Sequence, residues 1–306
     1  MNKILILAGG YSNEREISLI TAKSVIKELK KNSKYDLLLT EPDGNFVHKL
    51  RKFKPDLVLN LLHGRYGEDG YIQSILESEK VKYTHSGVLS SSIAIDKEIS
   101  KKIFRNNNIL TPSSFKLVFK KNFNLKKIID KIDKKLRFPV VLKPINEGSS
   151  VGVYITSKKN FNLNIYKLEK FKEILIEKYI PGREIQAAIL GNKKLGIIEL
   201  KPKRKFYDYE AKYSAGAKTQ HIIPVNITKK NFDKVNMIAM KAHKLLKCRG
   251  VSRSDFRFYN NKFYLLELNT QPGMTALSLV PEIARYKKIS FMQLIEEIIR
   301  DASINK

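Results

Sequence analysis

The sequence predicts an α/β protein that begins with a parallel, doubly wound sheet. Residues 3–8 form an apolar strand ending at Gly9-Gly10. Residues 15–31 then follow helical period, with Ile17, Ile20, Ala22, Val25, Ile26 and Leu29 as apolar positions. The alternation continues: Tyr35–Leu39 and Leu57–Leu62 read as strands and Tyr71–Ser78 as the start of a helix. Strands alternating with helices build a parallel sheet covered by helices. Ligands in such sheets gather at the carboxyl ends of the strands, where the loops 9–16 and 63–70 lie. Gly9-Gly10 lacks the spaced glycines of a dinucleotide-binding turn, so no NAD is expected.

Residues 91–108 read as one helix with Ile95-Asp96-Lys97 inside it, ended by Thr111-Pro112. A Lys-rich linking region runs to Arg137. Phe138–Lys143 is a short buried strand ending in a lysine, followed by the small-residue loop 146–152 and a strand over Tyr154–Thr156. Strand, small loop and strand suit a flap over phosphates. A P-loop would run into a helix and carry Gly-Lys-Ser. Ile174–Lys178 is an apolar strand with charges at its end, and residues 185–200 are apolar and strand-like. Residues 206–213 are aromatic and charged, and lead into the small, polar loop 214–220. Residues 231–247 form an amphipathic helix and residues 290–301 the last one.

The stretch Tyr264–Thr270 buries an acidic residue and an amide in an apolar strand, then breaks at Pro272-Gly273. An unpaired buried carboxylate is costly, so Glu267 needs a cation or hydrogen bonds. In a strand, Glu267 and Asn269 leave the same face. They are oxygen ligands of the kind Mg²⁺ takes. Upstream, Val251–Tyr259 and the turn signal Asn260-Asn261-Lys262 predict an antiparallel hairpin. A three-residue loop sets Tyr259 against Phe263 and Asp255 against Glu267, with Cβ atoms about 5 Å apart. A two-residue loop sets Asp255 against Leu266 and puts the carboxylates on opposite faces. Asp255 also suits a salt bridge to Arg253 or Arg257, and the hairpin alone leaves both readings open.

With 306 residues, 42% of them hydrophobic, the chain holds enough apolar surface for two or three compact units. No apolar run approaches the roughly 20 residues of a membrane span. Lys3–Gly9 is too short for a signal-peptide core and reads as the first strand. The single cysteine, Cys248, excludes an internal disulfide and fits a reducing compartment. A net charge of +28 invites a nucleic-acid partner. The lysines are scattered, however, with no Arg-rich stripe and no aromatic-basic interleave. They read as solvated surface, and nucleic-acid binding is kept as the minor alternative.

Several segments together carry a resemblance. They are the Gly9–Ser18 loop with Glu14-Arg15-Glu16, His63–Gly70 with Glu68, Asp96-Lys97, and Lys143-Pro144 with Glu147–Gly152. Glu177-Lys178, Gly182-Arg183-Glu184, Tyr207–Tyr213, Arg253-Ser254-Asp255, Glu267–Thr275 and Ser278–Pro281 continue it. In this order and spacing, nearly end to end, the chain resembles the ATP-grasp superfamily and, within it, the D-alanine–D-alanine ligases. The resemblance implies an ATP-grasp fold in three parts. These are a substrate-binding doubly wound parallel-sheet domain over 1–96, a small central α+β domain over 97–180 and a catalytic α+β domain over 181–306.

It also implies roles. ATP would lie on Lys97, Lys143 and Lys212, under the Ser149-Ser150 amides. Adenine would sit against Glu177 and Lys178, and Glu184 would take the ribose. Asp255, Glu267 and Asn269 would hold two Mg²⁺ ions, with Mn²⁺ as an alternative. Glu14 would bind the first D-alanine near His63, and Ser278 with the Leu279 amide would take the second. Arg253 and the Gly273 N–H would form the oxyanion hole, while Tyr213, Ser149 and Glu14 latch the loop over the site. The implied setting is a cytoplasmic homodimer, free of membrane and nucleic acid, making the dipeptide for peptidoglycan and so for cell-wall growth and shape. A D-alanine–D-lactate ligase or another ATP-grasp carboxylate–amine ligase is the alternative. Glu210–Tyr213 resembles the dipeptide-forming type.

Overall fold

The computed structural model of the chain describes residues 2–120, 123–201, 219–275 and 278–304. Its first sheet joins β1 (Asn2–Leu7), β2 (Tyr35–Thr40) and β3 (Leu57–Asn60), all parallel, in the order β2-β1-β3. Ile4–Leu7 are fully buried because helices cover both faces, which is why this strand reads as an unbroken apolar run. Ile4 and Ile6 pack on Ala22, Val25 and Leu29 of α1 (Arg15–Leu29). Leu5 and Leu7 pack on Phe46 and Leu50 of α2 (Phe46–Phe53) and on Ile72 and Leu76 of α3 (Tyr71–Ser78).

The single helix expected over 91–108 is two, α4 (Val88–Ile95) and α5 (Lys97–Asn106). Asp96 breaks it. Its backbone is extended, and its carboxylate accepts from the N–H groups of Glu98 and Ile99 at 2.9 and 2.8 Å. Such a cap satisfies N–H groups that a helix start otherwise leaves unpaired, so a new helix begins inside a continuous apolar pattern. Both helices pack against the third sheet through Ala94 and Phe104.

The second sheet is antiparallel, in the order β4-β7-β5-β6, from β4 (Ser114–Val118), β5 (Val140–Pro144), β6 (Tyr154–Thr156) and β7 (Glu173–Lys178). Beneath it lie Ile128 and Ile132 of α6 (Leu125–Lys135) and Phe161 and Ile165 of α7 (Phe161–Tyr166). Strand β4 falls in the stretch expected to be a Lys-rich linker. Phe115 and Leu117 alternate toward the core there, and Lys116 between them hides the pattern.

The third sheet is antiparallel, in the order β10-β9-β8-β11-β12. It holds β8 (Arg183–Leu190), β9 (Lys193–Lys201), β10 (Gln220–Ile222), β11 (Val251–Tyr259) and β12 (Lys262–Asn269). One face takes Val235, Ala239 and Ala242 of α8 (Lys229–Leu245). The other merges with the first sheet's core through α1, α9 (Leu279–Tyr286) and α10 (Phe291–Arg300). The carboxyl ends of β1 and β3 are therefore held beside the end of β12.

The β11–β12 turn corrects the expected loop. It has two residues, Asn260 and Asn261, with φ of 48° and 56°, and Tyr259 faces Lys262. Two positive φ values suit a type I′ turn, and Asn tolerates them. The turn alone would set Asp255 against Leu266. A β-bulge between Asp255 and Phe256 leaves Leu266 as the extra residue and brings Asp255 opposite Glu267. The expected pairing is present, made by a bulge rather than by loop length.

His243 of α8 is buried and bonds Ser252 through Nδ1 at 2.7 Å. Burial lowers its pKa from 6.5 to about 4, with Asp301 opposing and Lys244 adding to the fall. The unfolded chain therefore takes up the extra proton between these values. The stability tied to neutral His243 is full above pH 6.5 and is lost as pH falls toward 4. The difference is worth about 3 kcal/mol. His243→Gln should flatten the fall of the melting temperature between pH 6.5 and 4.5 relative to the parent. An equally steep fall in both proteins would show that this histidine does not drive it.

Candidate active site

Two cavities meet where the three sheets converge. The larger, about 610 Å³, is lined by Glu14, His63, Glu68, Lys97, Ser149, Gln186, Arg253, Glu267, Asn269, Gly273, Ser278 and Leu279. The narrower is lined by Lys97, Lys143, Ser150, Glu177, Lys178, Glu184, Asp255 and Glu267. Lys97, Glu147 and Glu267 belong to both and form their common wall. A roomier groove of about 970 Å³ along β2 holds none of the expected site residues, so its size carries no chemistry.

The hairpin builds the wall's acidic side. Asp255 faces Glu267 and Arg253 faces Asn269, two adjacent pairs on one face. Arg253 donates to both oxygens of Asp255, at 2.8 and 3.0 Å. The ion pair left open by the sequence is thus formed, and the same register gathers the carboxylates. Asn269 Oδ1 accepts from the Gln271 N–H at 2.7 Å, which turns the chain out of β12. The Gln271 side chain then bonds Leu62 O and, at 3.0 Å, Asn60. That contact ties the turn to the end of β3. Gln186 on β8 faces Asp255 from the other side. It is buried, and its carbonyl oxygen has no hydrogen-bond partner among the described residues. Sequence reading missed it, since a glutamine in an apolar strand carries no motif.

The lysines come from two elements. Lys97, the first residue of α5, is buried. Its Nζ donates to Glu147 O at 2.5 Å and lies 3.5 Å from Glu267. Lys143, near the end of β5, lies 3.1 Å from Glu177 on β7. The other oxygen of Glu177 is 2.7 Å from Lys101, which is fully buried one turn beyond Lys97. Lys101 was also missed; only its spacing of four from Lys97 could have signalled it. Burial alone would raise the pKa of Glu177, but Lys101 and Lys143 outweigh it and hold the carboxyl below its usual range. Lys178 is exposed at the same strand end, and Glu184 lies 3.3 Å from Arg257.

Two residues lining the larger cavity, Glu14 and Ser278, stand at helix starts. Glu14 immediately precedes α1, and its carboxylate accepts from the Ser149 hydroxyl. Ser149 and Ser150 both have positive φ, 47° and 62°, which sets the turn of the loop after β5. His63 is buried between Thr21 and Glu68, 3.3 Å from each. Ser278 precedes α9, and its Oγ meets Thr275 N and Oγ1 at 3.0 and 2.9 Å. A side chain at Gly273 would come within 3.0 Å of that hydroxyl. The expected residues Lys212 and Tyr213 lie outside the described residues.

Glu177→Gln would leave two buried ammonium groups without their counter-charge, and breaking a buried pair in this way costs several kcal/mol. The melting temperature should fall by roughly 5–10 °C. A change within a degree would show that Glu177 does not neutralise the lysines.

Comparison with known proteins gives the family. A family model described as "D-ala D-ala ligase C-terminus" matches residues 104–300. A D-alanine–D-alanine ligase of Pelagibacter ubique (strain HTCC1062) is 62% identical over 304 residues, 99% of either chain. The crystal structure of the D-alanine–D-alanine ligase from Bacillus anthracis superposes with a TM-score of 0.87 at 36% identity, covering 98% of this chain and 97% of that one. A structure of the Bacillus anthracis ligase complexed with ATP gives 0.85 at 32% identity, with the same coverage. With sequence likeness over its whole length and the fold in common, this chain belongs to the D-alanine–D-alanine ligase family.

Proposed function

We propose that this chain uses ATP to join two D-alanines into D-alanyl-D-alanine through a D-alanyl phosphate. The observation that carries the reading is the common wall. One cavity offers lysines for a triphosphate, the other a carboxylate, a guanidinium and a helix start for amino acids, and Lys97 and Glu267 face both. In the first step a D-alanine carboxylate oxygen attacks the γ-phosphorus and ADP leaves. In the second, the amine of another D-alanine attacks the acyl carbon, and the tetrahedral oxyanion collapses with loss of phosphate and a proton.

Phosphoryl transfer needs placed positive charge more than covalent chemistry. Lys97 and Lys143 supply it in this reading, joined by Lys212, with the Ser149 and Ser150 amides over the phosphates. Glu177 and Lys178 border the adenine and Glu184 the ribose. Glu14 takes the first ammonium beside His63. Arg253 and the Gly273 N–H stabilise the oxyanion, and Ser278 and the Leu279 N–H, at the start of α9, take the second carboxylate. Tyr213 completes the latch begun by Ser149 and Glu14.

Two carboxylates and an amide oxygen are hard donors, and Asp255, Glu267 and Asn269 share one face, so they fit two Mg²⁺ ions or Mn²⁺. Bound there, the cations would neutralise phosphate charge. Arg253 and Lys97 keep the carboxylates compensated meanwhile. The family likeness further supports a cytoplasmic homodimer serving peptidoglycan synthesis. Among the described residues no helix is long and apolar enough to cross a membrane.

A phosphate-release assay with D-alanine, L-alanine and D-lactate in parallel tests the reaction. D-Alanine alone should release phosphate and form the dipeptide, with ATP and Mg²⁺ both required. A preference for D-lactate as the second substrate would favour the depsipeptide alternative, and no release at all would remove the ligase reading.

Asp255→Asn and Glu267→Gln keep side-chain shape while removing charge. Each should lower phosphate release by a factor on the order of 10² or more in protein that is still folded at the assay temperature. Near-parental turnover in either variant would remove that carboxylate from the cation site.

A further inference from the structure

We infer that Lys101 is a positioning residue that keeps Lys143 free to meet the nucleotide, by taking up one oxygen of the carboxylate that Lys143 would otherwise neutralise. The inference rests on the proposed nucleotide site. Lys101 lines neither cavity, so it does not touch a ligand. It acts through Glu177, which does line the narrower one. The two oxygens of Glu177 are divided between two ammonium groups, Lys101 at 2.7 Å and Lys143 at 3.1 Å. All three residues are buried.

One carboxylate between two buried lysines leaves one positive charge uncompensated. Burial makes such a surplus costly, and a cluster serving the fold alone would match one lysine to one glutamate. The surplus becomes useful when an anion arrives beside Lys143. Without charge on Lys101, Glu177 would pair with Lys143 alone and the cluster would be neutral toward phosphate.

This arrangement makes nucleotide binding sensitive to the protonation of Lys101. Its pKa falls to about 8: burial lowers it most, Glu177 opposes the fall, the Lys143 charge adds to it and Glu267 opposes it. The charged groups around it are Glu177 on β7, Lys143 on β5, Glu267 on β12 and Lys97 on its own helix. A bound phosphate group favours the charged form. Nucleotide affinity is then full below pH 8 and declines as pH rises through that value.

Calorimetric titration of the full chain with ADP and Mg²⁺, without D-alanine, from pH 7 to 9.5 tests this. The parent protein should lose about tenfold in affinity across the range. Lys101→Arg, charged throughout, should hold the parent's pH 7 affinity with a flat profile. Lys101→Met should bind weakly at every pH, also with a flat profile. The parent profile needs no variant to fold. A flat parent profile, or a Lys101→Met profile that follows the parent's, would overturn the inference. Absence of ADP binding by the parent at any pH would instead overturn the nucleotide site on which it stands.

Discussion

One extra residue in β12 decides whether the candidate site can form. Leu266 is the bulge that slips the strand by one position, so that Glu267 points to the face of Asp255 and Asn269 to the face of Arg253. Side chains alternate along a strand, so an unbulged β12 would send Glu267 to the opposite face. That face carries Phe256, Phe263 and Leu265, packed under α8. A carboxylate there would be desolvated among hydrocarbon with no cation in reach. The bulge instead sets Gln186, Asp255 and Glu267 in one row across three strands, at the edge where the first sheet arrives. Bulges re-aim side chains next to active sites, and this one re-aims Glu267 into the candidate site.

A second constraint is local to Asp96. By capping α5 it fixes where the helix starts, and the start fixes where both lysines of α5 point. Lys97 falls at the first position, turned toward Glu147 and Glu267, and Lys101 falls one turn later toward Glu177. Cap, first lysine and second lysine form one device, because residues four apart share a helix face. Lys97 is held by the loop after β5 and by the end of β12 together, so a shift in either element moves the ammonium that both cavities share.

These constraints explain which parts were legible in the sequence. Ile4–Leu7 announced a buried parallel strand because hydrophobic runs report burial on both faces. Glu267 and Asn269 stood out because acidic and amide side chains are unusual inside an apolar strand. The bulge at Leu266 has no comparable signal, since its residues are the same whether or not the ladder slips. The break at Asp96 rests on two backbone hydrogen bonds inside an apolar pattern that continues across it. Lys101 and Gln186 gain meaning only from distant partners, Glu177 on β7 and Asp255 on β11. No local period encodes those contacts.

Charge shows the same separation between composition and position. Lys31, Lys158 and Lys229 are exposed and pair with Glu28, Asp133 and Asp233, so they add nothing to the net charge of +28. Exposed pairs of this kind contribute little to stability and are screened by salt. Lys97, Lys101 and Lys143 add little to the total, yet among the described lysines they alone are buried together around carboxylates. Removing an ammonium from water is expensive, so a lysine kept there has a purpose that a surface lysine does not need. In the proposed reading these three contribute a field at a phosphate ligand that is sharpened by the low-dielectric walls around them and would persist at salt concentrations that screen the surface charge.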